Sequence, residues 1–207
     1  MGELFQKILD LVLPKVKGVI ETTFNLWISP VSTLSEKLKE GQQISFSLLF
    51  FLVMSTLAYS ILLFGLLSGK IELDPYKLGF GFVLSQFIML VFYSLAALLA
   101  LKISRVKATW RKVLMSTAYL YGQVIIAAAT LCSIVIYAVL NGVCDVQSGI
   151  WLSLIVGFFL LCFGWRLMCK VLDATRTQTV VSFVIVSILI IPIAPALGVI
   201  SRPLVHF

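Results

Sequence analysis

The sequence predicts an all-α integral membrane protein, a polytopic bundle of five transmembrane helices preceded by amphipathic interfacial helices. Of its 207 residues, 60% are hydrophobic and only 12% are charged, and the mean hydropathy is +1.09. Soluble domains average about 45–50% apolar and about 25% charged residues. A chain of this size has too little interior to hide so much apolar surface, so the excess is expected to face lipid.

The same composition narrows the classes of function. It excludes a soluble enzyme, a disordered chain and a secreted scaffold held by disulfides. The formal net charge of +7 does not point to nucleic acid, because the basic residues are concentrated between apolar runs. We therefore expect the lipid bilayer as the main partner and no nucleic acid. A protein partner or a homo-oligomer is expected in addition, of a kind that composition does not identify.

Five apolar runs are long enough to cross a bilayer, which takes about 20 residues. They must be helices, because a single strand would leave its backbone groups unpaired in hydrocarbon. The predicted spans are residues 44–67, 78–101, 113–140, 150–168 and 179–200.

The positions of Lys and Arg predict the orientation. Thirteen of the sixteen fall in three regions, which are the segment before the first span, the loop after the second, and the end of the fourth span with the turn that follows it. Basic loops remain in the cytoplasm. Residues 1–43 are therefore expected to be a cytoplasmic segment, residues 44–200 the transmembrane domain, and residues 201–207 a short external tail.

The cytoplasmic segment has apolar residues at helical spacing. They recur over residues 4–12 and again over residues 16–27, and Pro14 lies between the two stretches. A further helix is expected to start at Pro30, with Ser29 as its cap. We interpret these as short helices lying in the cytoplasmic interface of the membrane.

Trp27 and Pro30 are the two residues of this segment that we expect to carry function. Trp27 closes the apolar face and Pro30 separates two helices. Two interpretations remain open. The tryptophan either fills a specific pocket in the bundle or in a protein partner, or it rests among lipid headgroups as an anchor.

The spans contain few groups that could carry chemistry. None holds Asp, Glu, Lys or His, and Arg166 is the one charged residue, near the end of the fourth. Its guanidinium can extend into the headgroups; the alternative is a buried pairing with Gln86 or Gln123. The four cysteines and the single His206 do not form a ligand set. We expect a protein that is not an enzyme, with no catalytic residue, metal or cofactor.

Small residues and prolines predict where the helices pack or bend. Gly65 and Gly69 form a GxxxG pair, and Gly157 lies on a small face of the fourth span. Small residues let helices approach closely in a membrane. Pro192 and Pro195 predict a bend in the fifth span.

This layout resembles the Yip family of Rab-interacting membrane proteins over about residues 20–200. The sequence Leu-Trp-Ile-Ser-Pro at 26–30 is similar to the family's Asp-Leu-aromatic-Gly-Pro element, and also to the aromatic-x-x-Pro form of its bacterial members. Asn25 stands in place of the acidic residue, and a serine in place of the glycine. The sequence Ala-Tyr-Leu-Tyr-Gly at 118–122 is similar to the family's Gly-Tyr element, without the following proline.

The resemblance implies a function as well as a fold. Eukaryotic relatives bind small prenylated GTPases in traffic between the ER and the Golgi, and they carry longer N-terminal domains. The short N-terminal segment of this chain resembles the bacterial branch. That implies a bacterial inner membrane, with an ER or Golgi membrane as the alternative, and no catalytic residues.

Three hypotheses of function follow. The first is a non-enzymatic Yip-like adaptor or organiser that acts through helix-mediated protein contacts. The second is a small channel, permease or lipid-handling protein. The third is a membrane immunity protein that neutralises a membrane-directed toxin.

Overall fold

The fold was analysed in a computed structural model. It describes the backbone of residues 2–39, 44–67 and 75–190 and the side chains of residues 14–39, 44–67 and 78–190. Over these residues the chain forms seven helices and no strand. The predicted all-α class is confirmed for the described part of the chain.

The chain divides into two compact units, Met1–Gln42 and Gln43–Phe207. The first unit contains α1 (Gly2–Ile28) and α2 (Pro30–Lys39), which contact each other. α2 begins at the proline where the sequence predicts a helix start. The expectation of separate short helices on the two sides of Pro14 is wrong, because α1 continues through that residue. One proline removes a single backbone hydrogen bond, and a helix with bonded turns on both sides can accommodate that loss.

The second unit contains the apolar helices. They are α3 (Ile44–Leu67), α4 (Pro75–Ile103), α5 (Trp110–Leu140), α6 (Val146–Val171) and α7 (Arg176–Ile190). The first four are long and apolar enough to cross a membrane. Even α3, the shortest of the four, rises about 36 Å, against a hydrocarbon core of about 30 Å. These helices indicate an integral membrane protein.

α7 is shorter as described. Its 15 residues rise about 22 Å, and the remainder of the predicted fifth span, residues 191–200, lies outside the described residues.

α5 is the helix to which α3, α4 and α6 all pack. Tyr119 of α5 lies beside Phe50 of α3, with ring centroids 5.1 Å apart, and Ser133 lies beside Ile61. The paired positions rise together along both helices, so α3 and α5 run parallel. Every residue from 113 to 120 is buried, so this stretch of α5 is enclosed on all sides.

α6 runs antiparallel to α5. Thr117 near the start of α5 contacts Met168 near the end of α6, whereas Val135 contacts Gly149 in the first turn of α6. The opposite face of α6 carries large apolar side chains that are more than half exposed, among them Phe158 and Phe159. A contiguous apolar face of this kind is uncommon on soluble proteins and suits contact with lipid.

α4, α5 and α6 end in the same way. A backbone N–H beyond each helix donates to the carbonyl five residues earlier, with N to O distances of 2.9, 2.9 and 3.0 Å, in the pairs Val106–Leu101, Val143–Ala138 and Ala174–Cys169. This arrangement is the Schellman motif, which puts one residue in the left-handed region. The three left-handed residues are Arg105 (φ 59°), Gly142 (φ 69°) and Asp173 (φ 55°).

Candidate functional site

The residues of α1 divide into a buried face and an exposed apolar face. Val19, Thr22 and Leu26 are buried. Four apolar side chains recur every three or four residues beside them and are 45–63% exposed, and we name them the α1 stripe: Val16, Ile20, Phe24 and Trp27. Their spacing places them along one line of the helix.

Trp27 and Pro30, the two residues of this unit that the sequence singles out, differ in exposure. Trp27 ends the α1 stripe and is 59% exposed, so its indole is available to a partner or to headgroups. Pro30 is the half-buried first residue of α2, where a missing N–H has no helical cost.

The glycines differ in their surroundings. Gly65 is buried, and a Cβ added there would lie 2.9 Å from the Ser133 hydroxyl oxygen. At Gly157, no atom outside its own helix backbone lies within 4 Å of such a Cβ. Gly69, Pro192 and Pro195 lie outside the described residues.

Arg166 is exposed near the end of α6. The buried pairing considered from the sequence is not formed, because neither glutamine bonds to it. Gln86 Oε1 accepts a hydrogen bond from the Tyr121 hydroxyl at 3.0 Å. Gln123 is buried, 9% exposed, and neither of its amide atoms has a hydrogen-bond partner.

Two acidic residues have structural positions at turns. Asp145 caps the N-terminus of α6, and its carboxylate accepts hydrogen bonds from the Ser148 hydroxyl (2.6 Å) and backbone N–H (2.9 Å). These bonds, that of the hydroxyl first, hold the pKa of the Asp145 carboxyl below its usual value. Asp173 is the left-handed residue at the end of α6.

An aromatic cluster joins all five helices of the second unit. The sequence did not predict this cluster. Consecutive ring centroids lie 5.7–6.5 Å apart along the series Phe51, Tyr121, Tyr93, Trp165 and Phe183. The indole N–H of Trp165 also donates to the backbone carbonyl of Thr179 on α7, at 3.1 Å. The available signal was one large aromatic in each span, but apolar spans contain many such residues.

A small cavity lies within this cluster, between Tyr93, Thr117, Tyr121, Trp165 and Met168, with a volume of about 20 Å³. That is room for one water molecule. It is too small for a substrate, so the cluster is a packing element. Among the described residues no group of three or more His, Cys, Asp or Glu side chains could hold a metal ion.

Two open apolar grooves flank α5 at its C-terminal half. The groove against α3 has a volume of about 620 Å³ and is lined by Leu57, Phe64, Ile134 and Tyr137, among others. The groove against α6 has a volume of about 460 Å³. The hydroxyls of Ser60, Thr130 and Ser133 in the first groove each bond to a backbone carbonyl, which leaves the Tyr137 hydroxyl in a groove whose walls are otherwise dominated by apolar surface.

Comparison with known proteins gives no family assignment. No family model matches the sequence, and no curated protein or solved structure shows significant similarity to it.

Proposed function

We propose that this chain is a non-enzymatic membrane protein of Yip type with five spans, which acts as an adaptor or organiser through the α1 stripe. The observation that carries the proposal is the exposure of two large aromatic side chains on one face of α1, Phe24 at 63% and Trp27 at 59%. Aromatic side chains dominate the binding energy of protein interfaces.

The charges beside the stripe favour a protein partner over a simple lipid anchor. Helices that only rest on a membrane carry an excess of Lys and Arg on the polar face. Here Lys17 and Glu21 lie 3.8 Å apart on the flank of the stripe, and both are exposed. The pair balances the charge of that flank, and Lys15 leaves the described side chains of α1 with a net excess of one basic residue, so electrostatic attraction to anionic lipid is weak.

The orientation forms part of the proposal. The basic residues concentrate in the N-terminal segment and in the α4–α5 and α6–α7 turns. This pattern supports a cytoplasmic N-terminus and an external C-terminus. The bacterial inner membrane is proposed from the resemblance to the bacterial Yip branch. The fifth span would then comprise α7 and the residues that follow it.

Site-specific photo-crosslinking in intact cells tests the adaptor role. A photoreactive phenylalanine at position 27 should give a discrete protein adduct, and the same residue at Lys17 should not, because Lys17 lies off the stripe. Phe24→Ser should abolish the adduct without lowering the amount of protein in the membrane. Adducts to lipid alone at position 27 would mean that α1 is an anchor, and would contradict the adaptor role.

The two grooves beside α5 favour a second candidate, a lipid-handling protein. Their apolar walls and open sides suit acyl chains. In reconstituted vesicles such a protein would move a fluorescent lipid between leaflets. Ile134→Trp would slow that movement by filling the larger groove. Ile155→Trp, at an exposed position of α6 outside both grooves, would leave it unchanged. No movement above that of protein-free vesicles would eliminate this candidate.

A further inference from the structure

Eight basic side chains lie at one end of the second unit. The α4–α5 and α6–α7 turns meet there, because the Gln178 side-chain amide donates to the backbone carbonyl of Arg105 at 3.3 Å. We name these eight residues the basic collar, and all are exposed: Lys102, Arg105, Lys107, Arg111, Lys112, Arg166, Lys170 and Arg176. Among the described residues of this unit, Asp173 is the one acidic residue at that end.

The depth of the collar is that of phospholipid headgroups. Lys102 and Lys170 lie in the last turns of α4 and α6, and Arg111 and Lys112 lie in the first turn of α5. The helices are long enough to cross the hydrocarbon. Their terminal turns therefore reach the headgroup region, where Trp110 is an interfacial aromatic of the usual kind.

Two helix N-termini lie at the same end, beside the C-termini of α4 and α6. α5 begins beside its cap Thr109, whose side chain accepts a hydrogen bond from the Lys112 N–H. α7 begins after Thr175, and the Thr175 and Gln178 side chains each accept the other's backbone N–H. The positive dipole ends of α5 and α7 lie there together with the negative dipole ends of α4 and α6, so the collar's own charges dominate the potential at this end.

Arg105 occupies a backbone position that costs free energy. Its φ of 59° is in the left-handed region, where helix ends usually have glycine. A long side chain with a full charge occupies this position in spite of the strain. Strain of this kind is a reason to look for a function of the side chain.

From these observations we propose that the basic collar binds the phosphates of anionic phospholipids in the leaflet at that end of the bundle. A diacylphospholipid satisfies both features of the site, because its phosphate meets the collar and its acyl chains lie along the apolar helices. An acidic soluble protein would satisfy the charge alone. The inference goes beyond the adaptor function and requires neither α1 nor a particular orientation.

Lipid titration of the purified full chain tests the proposal, with phosphatidylglycerol and phosphatidylcholine as the probes. Native mass spectrometry and thermal unfolding in detergent measure the binding. The chain should retain phosphatidylglycerol in preference to phosphatidylcholine, and phosphatidylglycerol should raise its unfolding temperature more. Added salt should weaken that preference. Each basic residue near a membrane surface contributes about fivefold in affinity, so Arg105→Gln with Arg176→Gln should weaken binding by about 25-fold.

The charge-conserving pair Arg105→Lys with Arg176→Lys is the matched control and should bind within about twofold of the original. Arg105→Gly separates a loss of lipid binding from a loss of fold, because it removes the charge of the side chain and the backbone strain together. It should raise the unfolding temperature in detergent while weakening lipid binding.

Three outcomes would overturn the proposal. One is equal binding of the two lipids by the unmodified chain. Another is an equal loss of binding in the Gln and Lys pairs. The third is displacement of phosphatidylglycerol by a soluble polyglutamate peptide at the same concentration, which would assign the collar to an acidic protein.

Discussion

Gly65 on α3 lies so close to Ser133 on α5 that a Cβ added to the glycine would stand 2.9 Å from the serine hydroxyl oxygen, 3.0 Å from its Cβ and 3.1 Å from its Cα. A change of rotamer would move the hydroxyl but not the other two atoms. The hydroxyl is also held, because it donates to the Ile61 carbonyl at 2.9 Å. The two parallel helices are therefore in backbone-level contact at this point.

Gly65→Ala should separate α3 from α5 and destabilise the bundle by about 1–3 kcal/mol, as overpacking does in tight interiors. Thermal unfolding in detergent measures it. Gly157→Ala is the control, because a methyl group there meets nothing within 4 Å. It should be neutral or slightly stabilising, since Ala favours a helix over Gly by about 0.5–1 kcal/mol. Equal losses at both positions would contradict the packing described.

The indole N–H of Trp165 gives a second prediction. Trp165→Phe keeps an aromatic ring in the cluster but removes the hydrogen bond to the Thr179 carbonyl, so α6 and α7 should be held less firmly. We expect a loss of about 0.5–1.5 kcal/mol in thermal stability. Trp151→Phe should be silent, because that side chain is 59% exposed. An unchanged unfolding temperature for Trp165→Phe would mean that the bond contributes nothing.

The sequence predicted the helices better than their contacts. The predicted span 44–67 coincides with α3, and α4, α5 and α6 extend the next three predictions by up to four residues at an end. The hydrocarbon limits a span, but helical hydrogen bonds continue into the polar flanks.

The packed faces were harder to predict, because apolar residues surround these helices on all sides and no periodic face is visible in the sequence. Gly65 and Gly157 illustrate the limit. Both are small residues in apolar spans, yet one is at a helix contact and the other has no neighbouring atom near its side-chain position. Which of them packs depends on the arrangement of helices, and helical spacing does not contain that information. Trp165 is likewise buried in the aromatic cluster, which its position near the end of an apolar run does not indicate.

Gln123 gives a third prediction. A buried amide without partners costs about 1–3 kcal/mol, so Gln123→Leu should stabilise the bundle by an amount of that order. Gln86→Leu should have the opposite effect on stability. It removes the hydrogen-bond acceptor of the Tyr121 hydroxyl and should therefore destabilise the bundle. Thermal unfolding of the two variants should therefore move in opposite directions. A destabilised Gln123→Leu would show that the amide has a partner, such as a bound water.

Acid should weaken the start of α6. The pKa of Asp145 is lowered in the folded chain, so its carboxylate stabilises the fold above the pKa of the unfolded chain. That stability is lost as the pH falls below about 4 toward the lower folded pKa. Asp145→Asn should keep the cap at neutral pH and remove this part of the acid sensitivity. Unfolding temperatures at pH 7 and pH 3 should be measured for the original chain and for Asp145→Asn. An equal drop in unfolding temperature at pH 3 in both would contradict the role given to the Asp145 carboxylate.

The central claim is a five-span topology with the basic collar in the cytoplasm, and cysteine labelling of intact cells by a membrane-impermeant maleimide tests it most directly. Cys144 lies between α5 and α6 and serves as the native external probe, with the other three cysteines replaced by Ala. Single cysteines at Lys107 and Phe207 replace it in turn. The account predicts labelling at 144 and 207, and protection at 107 until the membrane is permeabilised. Labelling at 107 in intact cells would mean that the orientation is the reverse of the one proposed. Protection at 207 would mean that the chain crosses the membrane four times.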